Sequence, residues 1–112
     1  MSLSDKSGEM LQALETHFAG NGQVLPGKML HAPSLMIKGK DKKARGFVFA
    51  TRDVLVMKLP RLRIDMLEGD GAGKRMTMGS REMKEWIALP PNNLALLTSL
   101  AEEACSFVAS LP

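Results

Sequence analysis

The sequence predicts an α+β fold: a single antiparallel sheet of four to five strands flanked by N- and C-terminal helices, in the order α-β-β-β-β-α-β-α. Three observations carry this. Apolar residues recur at helical spacing near both ends of the 112-residue chain. Between them lie short apolar runs with period-two alternation, broken by turn residues. The composition, 45% apolar and 24% charged, supplies one ordinary core and argues against disorder. Residues 1–112 therefore read as one domain.

The first helix spans roughly Ser4 to Ala19. Ser4 is its expected cap, and Asp5 and Glu9 suit the positive end of its dipole. Met10, Leu11, Leu14 and Phe18 form its apolar face. Gly20, Asn21 and Gly22 end it, and Pro26-Gly27 marks a turn. The strand runs that follow are Met29-Leu30-His31, Leu35-Met36-Ile37, Gly46 to Ala50 and Val54 to Leu59. Alternation places Leu35 with Ile37, Phe47 with Phe49, and Leu55 with Met57 and Leu59 on one apolar face. The other face is half polar, with Ser34, Met36, Lys38, Val54, Val56 and Lys58, as in a sheet covered by helices on one side only. Phe47, Phe49, Leu55 and Leu97 are thus expected in one dry interior.

Pro60 suits the first turn of a short helix, Arg61 to about Glu68, with Leu62, Met66 and Leu67 turned inward. Gly69 to Gly73 is a loop. It departs from a phosphate-binding loop, because Glu68 stands where the first glycine is needed and Arg75 where a hydroxyl is needed. Met83 to Leu89 fits a strand better than a helix. Asn93 to Ser110 is the strongest helical segment, capped by Asn92 or Asn93, with a stripe of Leu94, Leu97, Leu100, Ala101, Ala104, Phe107, Val108 and Leu111.

A single cysteine, Cys105, excludes an internal disulfide framework and fits a reducing compartment. No apolar run approaches the length of a membrane span, and the N-terminus lacks the apolar core of a secretory signal. The expected location is the cytoplasm, without membrane association. Neither His17 nor His31 has a ligand or triad partner at a recognisable spacing, and no carboxylate pair is spaced for acid–base work. Cys105, inside a helix and far from basic residues, reads as a small apolar residue rather than a nucleophile. No catalytic residue, metal ligand or cofactor is therefore assigned. An enzyme would need a deep pocket where His31, Trp86 and several charged residues converge.

Two features point instead to binding. Residues 28–64 hold ten Lys and Arg against two acids, a local charge of +8, between flanks of −2 and −3. Lys38, Lys40, Lys42, Lys43, Arg45, Arg52, Arg61 and Arg63 are the candidate nucleic-acid contacts, for sequence-neutral and salt-sensitive binding. The plainer reading is solvated hairpin tips and a protected sheet edge. It is favoured because the chain has no tyrosine and its few aromatics fall at expected core positions, which leaves no stacking platform. The second feature is nine methionines against five aromatics. Met29, Met36, Met76, Met78 and Met83, with Trp86, are candidate protein contacts, since flexible thioethers adapt to different partners. The alternative role is filling an aromatic-poor core.

The ordered segments Gly27 to Lys40, Gly46 to Ala50 and Val54 to Pro60, together with Gly79-Ser80-Arg81-Glu82-Met83-Lys84-Glu85-Trp86-Ile87, resemble the N-terminal domain of the TfoX/Sxy family and, more broadly, the MmcQ/YjbR-like proteins. The Met-Lys-Glu-Trp piece is the most specific part. Leu30-His31 replaces the family's Phe-Gly, and Lys40 to Arg45 enlarges the first hairpin. The resemblance implies a bacterial α+β module; longer members are associated with regulation of competence genes, and no catalytic residues carry over. The expected function is a small binding or regulatory module acting through protein contacts, with an unidentified protein or a second copy of the chain as partner. Nucleic-acid binding through residues 38–63 is the alternative, and an enzyme the remotest.

Overall fold

The computed structural model describes residues 5–29, 32–39, 42–51, 53–78 and 80–111. Its elements are α1 (Asp5–His17), β1 (Val24–Met29), β2 (Ala32–Lys38), β3 (Ala44–Ala50), β4 (Leu55–Lys58), α2 (Arg61–Gly69), β5 (Lys74–Met78), β6 (Arg81–Leu89) and α3 (Leu94–Ala109). The strands form one six-stranded sheet in the order β1-β2-β3-β4-β6-β5, with every neighbouring pair antiparallel. The α+β class and single antiparallel sheet agree with the sequence pattern, whereas the count of four to five strands is corrected to six. The added strand is β5. It lies at an edge, defined by its ladder to β6, and its sequence Lys-Arg-Met-Thr-Met has no core-facing alternation to announce it.

The opposite edge holds a second correction. Pro26-Gly27 is not a turn but lies inside β1, opposite Leu35 and Ser34. An edge is where a strand tolerates proline. Gly27 has a packing reason: a Cβ there would stand 2.3 Å from the Met36 sulfur. Leu30 and His31 lie outside the described residues.

All three helices pack on one face of the sheet. Leu11, Leu14 and the following Phe18, then Ile64 and Leu67 of α2, then Leu97, Leu100, Ala101, Ala104 and Val108 of α3 join Leu35, Ile37, Val48, Ala50, Leu55, Met57, Ile87 and Leu89 in one core. Each fully buried Leu or Ile contributes about 2 kcal/mol. α3 is capped by Asn93, whose side-chain oxygen accepts from the Leu96 N–H at 3.1 Å. The buried Ser7 hydroxyl donates to the Thr51 carbonyl at 2.6 Å and ties α1 to the β3–β4 turn. Ser4 lies outside the described residues.

The expected inward face of α2 holds at Leu67 and is corrected at Leu62 and Met66. Leu62 and Met66 are 78% and 59% exposed, whereas Ile64 and Leu67 are buried. Both stripes are consistent with helical spacing, and contacts beyond the helix choose between them. Arg63 pairs with Glu103 of α3 through two bonds of 2.9 and 3.1 Å, and Arg75 of β5 holds Asp65 at 2.6 Å and Glu68 at 3.2 Å. They accompany the roll that puts Ile64 and Leu67 into the core.

A bulge in β3 overturns one further expectation. Leu35 faces Val48 but the next residue, Met36, faces Gly46, so Phe47 is an extra residue in the ladder. Phe47 joins the helix-side core and meets Phe18 edge-on at 5.5 Å. Phe49 is thereby turned to the other face. It is buried, yet it does not share the interior of Phe47, Leu55 and Leu97. Among the described residues no helix is long and apolar enough to cross a membrane.

Candidate binding surface on the helix-free face

The ladders align Gly27, Ser34, Phe49, Val56 and Ala88 across the sheet on the face that carries no helix. Phe49 and Val56 are only 3% and 0% exposed there. Side chains from the same face cover them. Trp86 packs on Phe49 with ring centres 5.7 Å apart and a tilt of 58°. Met36 lies over Gly27, and Met29 crosses β2 to lie on Gly46, where a Cβ would stand 1.9 Å from its sulfur. The glycines are floor for the thioethers. Ser34, between them, is 2% exposed and its hydroxyl has no hydrogen-bond partner among the described residues.

This face runs into an open cleft of about 680 Å3 lined by Lys58, Arg61, Arg81, Met83, Lys84, Glu85 and Trp86. The topology creates it. β3 leaves the β2–β3 hairpin and β4 returns toward it, so Lys58 ends β4 at the hairpin end of the sheet. α2 begins there with Arg61, and β6, antiparallel to β4, begins there with Arg81. Lys58 and Trp86 are register partners. The Lys58 ammonium sits 5.2 Å from the centre of the indole and 3.3 Å from the Glu85 carboxylate. Among the described residues the cleft thus sets four cations against one carboxylate, and that carboxylate is engaged. Arg61, Arg81 and Lys84 have no acidic partner among the described residues.

The sequence-derived candidates divide. Of the protein-contact set, Met29 and Met36 lie over glycines of β1 and β3 on the helix-free face, and Met83 and Trp86 line the cleft. Met76 is half-buried on the edge strand β5 opposite Met83. The side chain of Met78 lies outside the described residues. Of the nucleic-acid set, Lys38, Lys42, Lys43 and Arg45 sit on the β2–β3 hairpin, at the same end of the sheet as Arg61. Lys40 and Arg52 lie outside the described residues. Arg63 is turned into the helix layer, paired with Glu103. The chain pattern missed Lys58, Arg81 and Lys84 as site residues. The last two belong to a stretch whose net charge is −3, so averaging over the segment hid them. Only folding brings them to Lys58 and Arg61.

Trp86 corrects the placement of the aromatics in part. It is a half-buried cleft residue, not a helix-side core residue. Its ring is already occupied by Phe49 and Lys58, so it offers no free stacking surface.

A second concavity, of about 630 Å3, brings His17, Glu102, Cys105 and Ser106 together where α1 meets α3. His17 pairs with Glu102 and meets Phe18 edge-on. Burial, and then the nearby Glu102 charge, push the Cys105 thiol above its ordinary value, the reverse of what a nucleophile needs. Among the described residues no group of three or more His, Cys, Asp or Glu is placed to hold a metal ion. His31 is outside the described residues, so the convergence an enzyme would need is present for Trp86 and the charged groups alone.

No family model matches the chain, and neither a curated protein nor a solved structure matches it.

Proposed function

We propose that the chain is a binding module that acts through contacts with another protein, using the helix-free sheet face and its basic cleft to hold an acidic segment that carries apolar side chains. One observation carries this reading: Met83 and Trp86 line a cleft that, among the described residues, holds four cations and one engaged carboxylate, and Met29 and Met36 cover the helix-free face toward its other edge. Thioethers repack around differently shaped apolar side chains, and the cations steer and orient an acidic partner. No step of covalent chemistry is part of the proposal. The regulatory role, the cytoplasmic location and the kinship with TfoX/Sxy N-terminal domains are parts of the same reading, and they rest on the sequence features described above.

The test uses the full chain with carbon-13 methyl-labelled methionine. A helical peptide with glutamate on one face and leucine on the other should shift the Met29, Met36 and Met83 methyl signals saturably. Met57, which is fully buried on the helix side, should stay still. Equal shifts for Met57 and the surface methionines, or none at millimolar peptide, would remove the proposal.

A second reading, sequence-neutral nucleic-acid binding, is favoured by one observation: the hairpin cations and the cleft cations share one end of the sheet. Anisotropy of a labelled single-stranded oligonucleotide, followed from about 20 to 200 mM salt, should then show affinity falling steeply. No binding at the lowest salt excludes it.

A further inference from the structure

We propose that the basic cleft is a specific site for a phosphate-class dianion, either inorganic phosphate or the terminal phosphate of a small monoester, held by Arg61, Arg81 and Lys84. This goes beyond the protein-contact reading and does not depend on it.

The argument begins with how the chain uses its charges. Near the cleft, each acid whose side chain is described is already matched: Asp65 and Glu68 by Arg75, Glu103 by Arg63, Glu85 by Lys58. Arg61, Arg81 and Lys84 are left over, and three different chain positions, the start of α2, the start of β6 and its fourth residue, bring them to one concavity. Nothing local in the chain couples residue 61 to residues 81 and 84; the β4–α2–β5–β6 connection does. Two of the three are arginines, whose planar forks match phosphate oxygens through paired hydrogen bonds. The ammonium of Lys84 adds a movable third donor.

The surroundings favour an anion further. α2 starts at the cleft with Arg61, has no side-chain cap at Pro60 and carries no acidic residue in its first turn, so its positive end is not neutralised. Met83 and Trp86 give one side of the site an apolar wall. The volume of about 680 Å3 holds a phosphate together with a small ester group. Lys58 stays over the indole, which closes that ring to a nucleobase and disfavours a stacked polymer.

Trp86 is the sole tryptophan of the chain, so its fluorescence reports on this cleft alone. The full chain is titrated with inorganic phosphate and, separately, with glycerol phosphate, against sodium chloride at matched ionic strength; phosphorus-31 line broadening is recorded in parallel. Both phosphates should give saturable changes that chloride does not. Tighter binding of the ester identifies a phosphorylated small molecule as the natural source, and tighter binding of the inorganic ion identifies free phosphate. Arg81→Gln and Lys84→Gln, checked for an unchanged circular dichroism spectrum, should each weaken binding about tenfold. Arg63→Gln, which loses only its pair with Glu103, should not. The site is ruled out by no saturation up to about 50 mM in either measurement. A response equal to that of chloride, or equal weakening by Arg63→Gln, overturns it as well. The methionine-methyl experiment can fail while this one succeeds, and the reverse, so the two readings are separable.

Discussion

Two glycines in this fold do opposite jobs, and the difference is measurable. At Gly46 an added Cβ would meet the end of a flexible Met29 side chain. At Gly73 it would meet the Ala88 carbonyl oxygen at 2.6 Å and Leu89 at 2.8 Å. A thioether swings aside and a strand backbone does not. Gly46→Ala should therefore cost under about 1 kcal/mol, and Gly73→Ala about 2–3 kcal/mol, in urea unfolding. Gly46→Ala should still move the Met29 methyl signal, because the floor it rests on is gone. Equal costs at the two positions would contradict the assignment. The lone Ser34 hydroxyl belongs to the same scale. It stands buried among the two methionine-covered glycines and Phe49, where sequence alternation places a polar position but cannot say that the position is covered.

At the scale of elements, spacing specified that a helix forms more reliably than which side of it turns inward. α3 kept most of its expected stripe, with Leu97, Leu100, Ala101, Ala104 and Val108 in the core, whereas Leu94 at its start is 42% exposed. α2 is nine residues long and has two apolar pairs to offer. Its roll puts Ile64 and Leu67 into the shared core, and the pairs of Arg63 with Glu103 and of Arg75 with Asp65 and Glu68, which bridge 40, 10 and 7 positions of sequence, accompany it. Ile64→Ala should accordingly destabilise by about 2–4 kcal/mol, and Leu62→Ala by less than about 0.5 kcal/mol, in chemical denaturation. Asn93→Ala should lower stability by about 1 kcal/mol through the lost cap of α3, with a smaller loss for Asn93→Ser. The bulge at Phe47 is the element-scale event with the largest consequence for the surface. One inserted residue moves Phe49 out of the helix-side core and gives Trp86 an aromatic floor.

For the molecule as a whole, charge is the property that folding redistributes. The sequence shows a basic middle and acidic flanks, and the fold breaks that block apart. Arg63 goes to the helix layer, and Lys58 and Arg61 meet Arg81 and Lys84 from the acidic flank. The interior has its own titration. Cys105 is neutral in both folded and unfolded chains below the ordinary thiol value of 9.0. Above it the unfolded chain ionises first, because burial and then Glu102 hold the folded thiol higher. Stability should therefore fall as pH rises past about 9 and through the folded value. Cys105→Ala should remove that component, seen as a smaller decline of the urea midpoint over the same range. Identical declines in the two proteins would show that the thiol contributes nothing.

By itself the sequence determined the α+β class, the three helices, four of the strands and most of the core, because those follow from periodicity, and periodicity is a local property of the chain. It also supplied the methionine and lysine-rich candidates, because composition needs no geometry. Tertiary structure alone decided the sixth strand, the bulge that turns Phe49 over, the roll of α2 and the meeting of Arg61 with Arg81 and Lys84. Each of these is fixed by pairing or packing between residues far apart in the chain, and a one-dimensional pattern carries no term for such contacts.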